Sequence, residues 1–487
     1  MAFSDHLDVI GPSRELGSVR FDVTADPPDR PQVWLVAPDG PLPDGVSWEE
    51  LRAAGFSGSV RSVHVVASPT SHVLAGTGPA PTVDDWRDAA GLGSRAASPH
   101  TDLAVRLPDD VTGEVVRAVV EGILLARYRY DALRAEPQGH RLTHLALVTG
   151  AAHDETAAAA ALGVASAGAT ALARDLANTP HNHLTASRLA RIAVDLGAEA
   201  DLEVEVWEQQ RCRDERLGGL LAINAGSEQE ARFVRLRYVP PGAPTGRLGL
   251  VGKGIMYDSG GIGLKPNDDS HAQMKNDMSG AAAILAAMLA LPAAHGTAEV
   301  VGYLMCTDNM PSATATALGD VVRGRSGRTI EIVNTDAEGR VVMSDGLALA
   351  VEDGVDAIVD IATLTGAVAR AFGSLLSGIT GSDEALVASV AAAATSSGEP
   401  VARVPLEHRY RPQLTSQVAD LRNLGPTGQP DGIISALFLH EFTEGVPWAH
   451  LDIAGTAWST VDAGWQTPGC TGVGARTILA AAAGFTA

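Results

Sequence analysis

Short apolar runs recur through the first 150 residues, at 18–23, 32–37, 61–66, 102–107 and 143–149. Stretches with helical spacing lie between some of them, the clearest at about 110–133. Strands alternating with helices predict a small α/β domain over residues 1–150, with a mixed or parallel sheet covered by helices. Its loops carry Pro, Gly and Asp clusters such as PDGPLPDG. No grouping of His, Cys or acidic residues there has a catalytic pattern, so a structural or assembly role is expected. Residues 153–178 are rich in Ala and free of Pro. They predict a helix opened by a cap at Asp154, within a linker spanning 151–180. Pro180 stops that helix, and a new one is expected from Thr185.

From 181 to 487 the pattern becomes strands alternating with Ala-rich helices. Strands are expected at 232–238, 247–252, 298–305, 329–333, 356–361 and 448–453, and helices at 187–196, 278–291, 345–353 and 384–397. The fold class is therefore α/β in two domains: the small N-terminal one, and a larger C-terminal one with a central mixed, mostly parallel sheet flanked by helices. In such sheets working residues gather at the carboxyl ends of strands, and the polar clusters fall there.

Composition narrows the function. With 487 residues and 45% apolar content the chain can build substantial cores, and with 4% aromatics it builds them from Ala, Val, Leu and Ile. A formal net charge of −22 repels phosphates, which disfavours general nucleic-acid and anionic-membrane binding. Cys212, Cys306 and Cys470 are far apart and odd in number, so no disulfide framework or zinc knuckle is indicated, and a cytoplasmic location is expected. The N-terminal stretch lacks the basic start and apolar run of a secretory leader. The longest apolar runs, Ala-rich and broken by polar residues, read as too weak for a membrane span.

Lysine usage points to the chemistry. Lys and Arg together number 36, yet lysine occurs only at 253, 265 and 275. Guanidinium stays protonated, whereas an amine can lose its proton and offer a lone pair to a metal or substrate. Lys253 and Lys265 sit in VGKGIMYDSGGIGLKP, residues 251–266, with Asp258 between them. Asp277 follows in MKNDMSGAAA, where a helix cap is its plainest role. NTDAEGRVVMSDG, residues 334–346, adds Asp336, Glu338 and Arg340. Four acids on Gly-rich loops repel one another unless a cation neutralises them. Oxygen-rich ligation suits hard divalent ions, with zinc also possible, and bridging carboxylates let four acids hold two metals. Other motifs fail. GxxxxGK[ST] and GxSxG are absent, and His440-Glu441 lacks the second His of HExxH. His181 and His183 flank an Asn in what reads as an interdomain loop, not an HNH nuclease unit.

The strings VGKGIMYDSGG, KNDMSGAAA, NMPS at 309–312, NTDAEGRV, DIATLTGA at 360–367 and WAHLDIAG at 448–455 resemble the leucyl aminopeptidase, or cytosol aminopeptidase, family, from about residue 175 to the end. The resemblance implies a metal-dependent aminopeptidase releasing N-terminal Leu and other apolar residues from peptides. It implies two divalent ions, Mn2+ or Zn2+, held by Lys253, Asp258, Asp277, Asp336 and Glu338. Asp258 and Glu338 would bridge, Lys253 and Asp277 would complete one site, and Asp336 the other. Lys265 would be the electrophile at the scissile carbonyl, and Arg340 would hold a bicarbonate acting as general base. Met274, Thr363, Leu364, Gly366 and Ala454 would border the substrate, and the assembly would be a homohexamer. Departures from the family pattern are Tyr257 for the usual Phe, a segment one residue longer between Lys265 and Asp277, and Ala317-Leu318 where Arg-Pro is usual. Lys275 gains no role from its chemistry. A non-catalytic DNA-binding relative and a narrow dipeptidase are the competing readings. The intact ligand set and the negative charge count against the first.

Overall fold

Alternating buried and exposed positions build a six-stranded sheet from β1 (Arg20–Thr24), β2 (Gln32–Val36), β3 (Val63–Val66), β4 (His72–Gly76), β5 (Asp102–Arg106) and β6 (His144–Val148). The computed structural model describes residues 6–66, 71–136 and 141–487, so the first five residues of the stretch inspected for a leader lie outside it. Strand order is β1-β6-β5-β2-β4-β3. Neighbours are parallel, save that β3 runs antiparallel to β4. β4 was not foreseen, because HVLAG is short and its Ala and Gly give little strand signal. The helix Val83–Ala96 starts at a Thr82/Asp85 capping box, which satisfies two otherwise orphaned backbone donors. It and the helix Gly113–Ala126 bury Ala89, Val116, Val119 and Ile123 against Val33, Leu103 and Leu145. These elements belong to a unit of Ile10–Leu172 with Ser459–Gly469, whose core includes Trp465.

An ion pair lies inside that unit. Arg87 and Glu121 are 0% and 1% exposed, with Arg87 Nε donating to Glu121 Oε2 at 2.9 Å. Arg87 also pairs with Asp84, and Ser166 Oγ donates to Glu121 Oε1 at 2.6 Å. Burial alone lowers the Arg87 pKa, but Glu121 and Asp84 hold it above the ordinary value. Glu121→Ala is therefore expected to lower stability by about 3–5 kcal/mol, since it removes the buried partner of a buried charge. Urea unfolding at neutral pH reads this as a reduced midpoint.

The second unit holds residues 6–9, Ala173–Trp458 and Cys470–Ala487. Its central sheet contains β7 (Glu203–Trp207), β8 (Arg232–Tyr238), β9 (Arg247–Asp258) and β10 (Glu299–Asn309). β11 (Val321–Arg323) and β12 (Thr329–Glu331) lie apart from it, and β13 (Ala357–Ala362), β14 (Ser377–Gly381) and β15 (Val401–Arg403) return to it. β16 (Leu421–Arg422) joins β11 and β12 in a three-stranded sheet, and β17 (Trp448–Asp452) completes the central one in the order β15-β14-β17-β13-β9-β10-β8-β7. β9, β10, β13 and β17 are mutually parallel where they pair, and β8 runs antiparallel to β10 and β7 to β8. β9 and β13 are buried almost throughout, as expected of central strands covered on both faces. Val251 and Gly252 are adjacent on β9 and so face opposite sides. Val251 lies against Gly346 of the helix Gly339–Glu352, and Gly252 against Ala281 of the helix Ser279–Ala290.

Several elements differ from expectation. The strand expected at 247–252 runs on to Asp258, because parallel pairing with β10 continues through Thr307 and resumes at Asn309. The segment 329–333 forms only the short β12, outside the central sheet. The helix expected at 345–353 begins at Gly339; Gly, Ser and Asp in its first turns mask it. The helix expected to be capped by Asp154 already includes His153. That helix, His153–Asn178, is also apolar and long enough to cross a bilayer by length and composition, contrary to the expectation from its sequence, but more than half of its apolar stretch is buried within the protein, as in a core helix.

Candidate metal centre

The site lies where the chain order reverses in the central sheet. From β9 the chain passes to β10 on one side and later returns to β13 on the other. The carboxyl ends of strands flanking such a point form a crevice. Lys253 lies on β9 in register with Met305, and Asp258 ends β9 in register with Asn309. Both are therefore strand residues, where a loop was expected. Asp277 precedes the helix Ser279–Ala290 but does not cap it. Met278 holds the cap position without a side-chain bond, and the Asp277 carboxylate turns to Lys253 and Thr363. Glu338 occupies the position before the helix Gly339–Glu352.

These residues converge. Lys253 Nζ lies 2.8 Å from Asp277 Oδ1, 2.7 Å from Glu338 Oε1 and 2.8 Å from the Thr363 carbonyl. Lys265 Nζ lies 2.7 Å from Asp258 Oδ2 and 2.5 Å from Asp336 Oδ1. Asp258, Asp336 and Glu338 each offer a ligand atom within 4.8 Å of the others. Lys253, Asp258, Asp277, Glu338 and Arg340 are buried, and Asp336 is exposed. Two glycines make room. A Cβ at Gly339 would lie 2.7 Å from Lys253 Nζ. Gly260 has φ +87°, and a Cβ there would lie 3.0 Å from Asp336 Oδ1.

The electrostatics show how crowded the negative charge is. Burial, with Glu338 adding, pushes Asp258 up to about 6 despite Lys265 and Lys253. Burial likewise raises Asp277 well above the carboxylate range, against the pull of Lys253. Glu338 is also penalised by burial, but Lys253 and Lys265 bring it below its ordinary value. Burial disfavours both ammonium groups, yet the surrounding carboxylates raise them. For Lys253 to act as a neutral ligand, a cation must displace its proton. The donors present fit divalent ions. Glu338 Oε2 is buried with no hydrogen-bond partner among the described residues, which is costly unless something electropositive meets it.

The other expected residues divide. The Thr363 hydroxyl donates to Asp277 Oδ1 at 2.6 Å, so Thr363 holds the ligand cluster directly. Leu364 N and Ala454 N both donate to Asp452 Oδ1, at 3.2 and 3.1 Å, which brings those two together. Met274 opens the turn Met274–Asn276 and reaches the cluster through its backbone, its carbonyl accepting Asp277 N at 3.2 Å, and Gly366 opens the helix Gly366–Phe372. Arg340 Nη1 donates to the Asn423 carbonyl at 3.0 Å and to Asp431 Oδ1 at 3.1 Å, and its Nε is buried without a partner. Lys275 lies outside the cluster, donating to the Asn178 carbonyl at 2.6 Å.

Sequence reasoning assigned no role to several residues that support the site. Asn309 Nδ2 donates to Asp258 Oδ1 at 2.7 Å and to the Thr335 carbonyl at 2.9 Å. Asp452 accepts from Leu364, Thr365 and Ala454. Asp360 joins His450 and the Trp448 indole. Burial works against the His450 imidazolium, but Asp360 holds its pKa above the ordinary histidine value. Their signal was present, since all lie in the strings NMPS, DIATLTGA and WAHLDIAG.

Comparison with known proteins agrees with this geometry. Residues 171–479 match the model of the cytosol aminopeptidase family, catalytic domain, and residues 43–137 match that family's N-terminal domain. The chain belongs to the cytosol aminopeptidase family. Such a member is a metal-dependent hydrolase with aminopeptidase activity. It is 39% identical to a probable cytosol aminopeptidase of Chlorobaculum tepidum over 84% of this chain and 85% of the relative. It is also 39% identical to one of Streptomyces coelicolor, over 90% and 89%. The bottromycin maturation enzyme BotP, solved in complex with Mn, is similar with a TM-score of 0.85 and 36% identity, covering 94% of this chain and 98% of that one.

Proposed function

We propose that the protein releases the N-terminal residue, with leucine and other apolar residues preferred, from peptides at a centre of two divalent ions. The observation that carries this reading is the convergence of Lys253, Asp258, Asp277, Asp336 and Glu338, with buried Glu338 Oε2 lacking a hydrogen-bond partner. Mn2+ or Zn2+ fits the donor set, and the Mn complex of BotP supports the former. When bound, the two ions polarise the first peptide carbonyl and activate the attacking water.

The chain's own groups do the rest. Lys253, Asp258, Asp277, Asp336 and Glu338 would hold the ions, with Asp258 and Glu338 shared between the two positions, Lys253 and Asp277 completing one and Asp336 the other. Lys265 donates a charged hydrogen bond to the carbonyl oxygen as negative charge develops there. Arg340 would hold a bicarbonate through its guanidinium, and that anion would supply a general base. Thr363, Leu364 and Gly366 border the substrate, with Met274 and Ala454 near the pocket for the side chain of the residue released. The reading includes a homohexamer and a cytoplasmic location, the latter supported by three free, buried cysteines.

A free α-amino group is required by this arrangement, because the centre anchors the substrate through it. Leu-Ala-Gly-Phe is expected to yield free leucine and a tripeptide by mass spectrometry, while its N-acetylated form stays intact. Equal cleavage of both, or cleavage within the peptide, would refute the proposal.

A further inference from the structure

The three-stranded sheet delivers one side chain to the metal-binding loop. β16 pairs in parallel with β12, Ile330 with Leu421 and Glu331 with Arg422. The ladder continues one step, Asn423 N donating to the Glu331 carbonyl at 3.0 Å. Asn423 is 0% exposed. Its Oδ1 accepts from Val333 N at 2.9 Å and Asn334 N at 3.3 Å. Its Nδ2 donates to the carbonyls of Asn334 at 2.7 Å and Ala337 at 3.2 Å. Both acceptor and both donor capacities of the amide are thus used. Its own carbonyl receives Arg340 Nη1 at 3.0 Å.

The loop so held carries Asp336 and leads into Glu338. Asn334 Oδ1 in turn accepts Asp336 N at 2.8 Å. On the loop's other flank, Asn309 binds the Thr335 carbonyl and the Thr335 hydroxyl donates to the Gly260 carbonyl at 2.7 Å. Only an amide serves at Asn423. A carboxylate would lose two donors and set an acceptor oxygen against the Asn334 and Ala337 carbonyls, and an aliphatic group would leave buried backbone groups unpaired.

We infer that Asn423 is a positioning residue for the metal centre, a clasp whose side chain sets the 333–337 loop, and with it Asp336 and Glu338, while its backbone aligns Arg340. The inference rests on the proposed two-ion reading. A residue of this kind acts on metal affinity, where loss of a supporting hydrogen-bond partner typically costs about 10–100-fold.

The test titrates the chelator-stripped full chain with Mn2+, following free Mn2+ by electron paramagnetic resonance, alongside melting temperature. Asn423→Ala and Asn423→Asp are compared with wild type. Asn423→Ser, which keeps a small hydroxyl partner, replaces the alanine variant if that does not fold. Asp420→Ala serves as control, because Asp420 ties the start of β12 through Thr329 N and Oγ1, both at 2.8 Å, without touching the loop. The Asn423 variants are expected to weaken Mn2+ binding about 10–100-fold, with hydrolysis lost at limiting Mn2+ and partly recovered at saturating Mn2+. The control is expected to lower the melting temperature and leave Mn2+ affinity unchanged. Wild-type binding with Asn423 variants within twofold of it, or equal weakening by the control, would overturn the clasp alone. Failure of wild type to bind Mn2+ or Zn2+ would overturn the two-ion reading and the clasp with it.

Discussion

Glu338→Gln is expected to lower kcat/KM for N-terminal release by at least about 1,000-fold, equivalent to about 4 kcal/mol of transition-state stabilisation. Glu338 is the carboxylate shared by the two halves of the cluster. One oxygen meets Lys253 at 2.7 Å, and the residue groups with Asp258 and Asp336 within 4.8 Å. Its second oxygen is buried without a hydrogen bond and is the natural place for a cation. Glutamine keeps the shape but removes the charge, so a bridging position is lost. Lys253 retains Asp277 as a partner, and the fold is expected to survive. Metal analysis should show fewer than two ions per chain, with circular dichroism unchanged. Near-normal activity with full metal content would exclude Glu338 as a ligand.

Lys265→Arg is expected to reduce kcat by about 100- to 1,000-fold, the usual effect of losing one preorganised oxyanion donor. KM and metal content should change little. Charge is conserved in this replacement, so the effect isolates shape. The Lys265 ammonium fits between Asp258 and Asp336 at 2.7 and 2.5 Å. Its backbone is fixed by Lys265 N donating to the Ser259 carbonyl at 2.9 Å, after Leu264 at φ +32°. A broad planar guanidinium cannot take the same compact position. Steady-state kinetics on the metal-loaded enzyme separate the two parameters. A variant with wild-type kcat would assign the electrophilic role elsewhere.

What the sequence made legible was local chemistry. Lys253, Asp258 and Lys265 fall within 13 positions, and Asp336, Glu338 and Arg340 within five. Restriction of lysine to one stretch marked that stretch directly. Which individual strands reverse was not legible, because hydropathy is the same for either direction; hence β7, β8 and β14, which run antiparallel to β8, β10 and β17, had no signature. Glycines in VGKGIMYDSGG hid the outer half of β9, which is a strand because β10 pairs with it. β14, SGITG, was hidden in the same way. Asn423 carried no signal at all. Its bonds span about 90 residues, and a lone asparagine in a loop reads as a turn former. Asp452 lay within a recognised string, but its role in gathering Leu364, Thr365 and Ala454 depends on contacts no spacing reveals.

Peptide hydrolysis at a centre of two ions is tested most directly by hydrolysis of leucine-p-nitroanilide by chelator-stripped protein during stepwise addition of Mn2+ or Zn2+. Negligible activity after stripping, restored activity on addition, and a plateau at two ions per chain are expected. Activity that survives complete stripping, or that no divalent ion restores on this substrate or on a dipeptide panel, would contradict hydrolysis at such a centre.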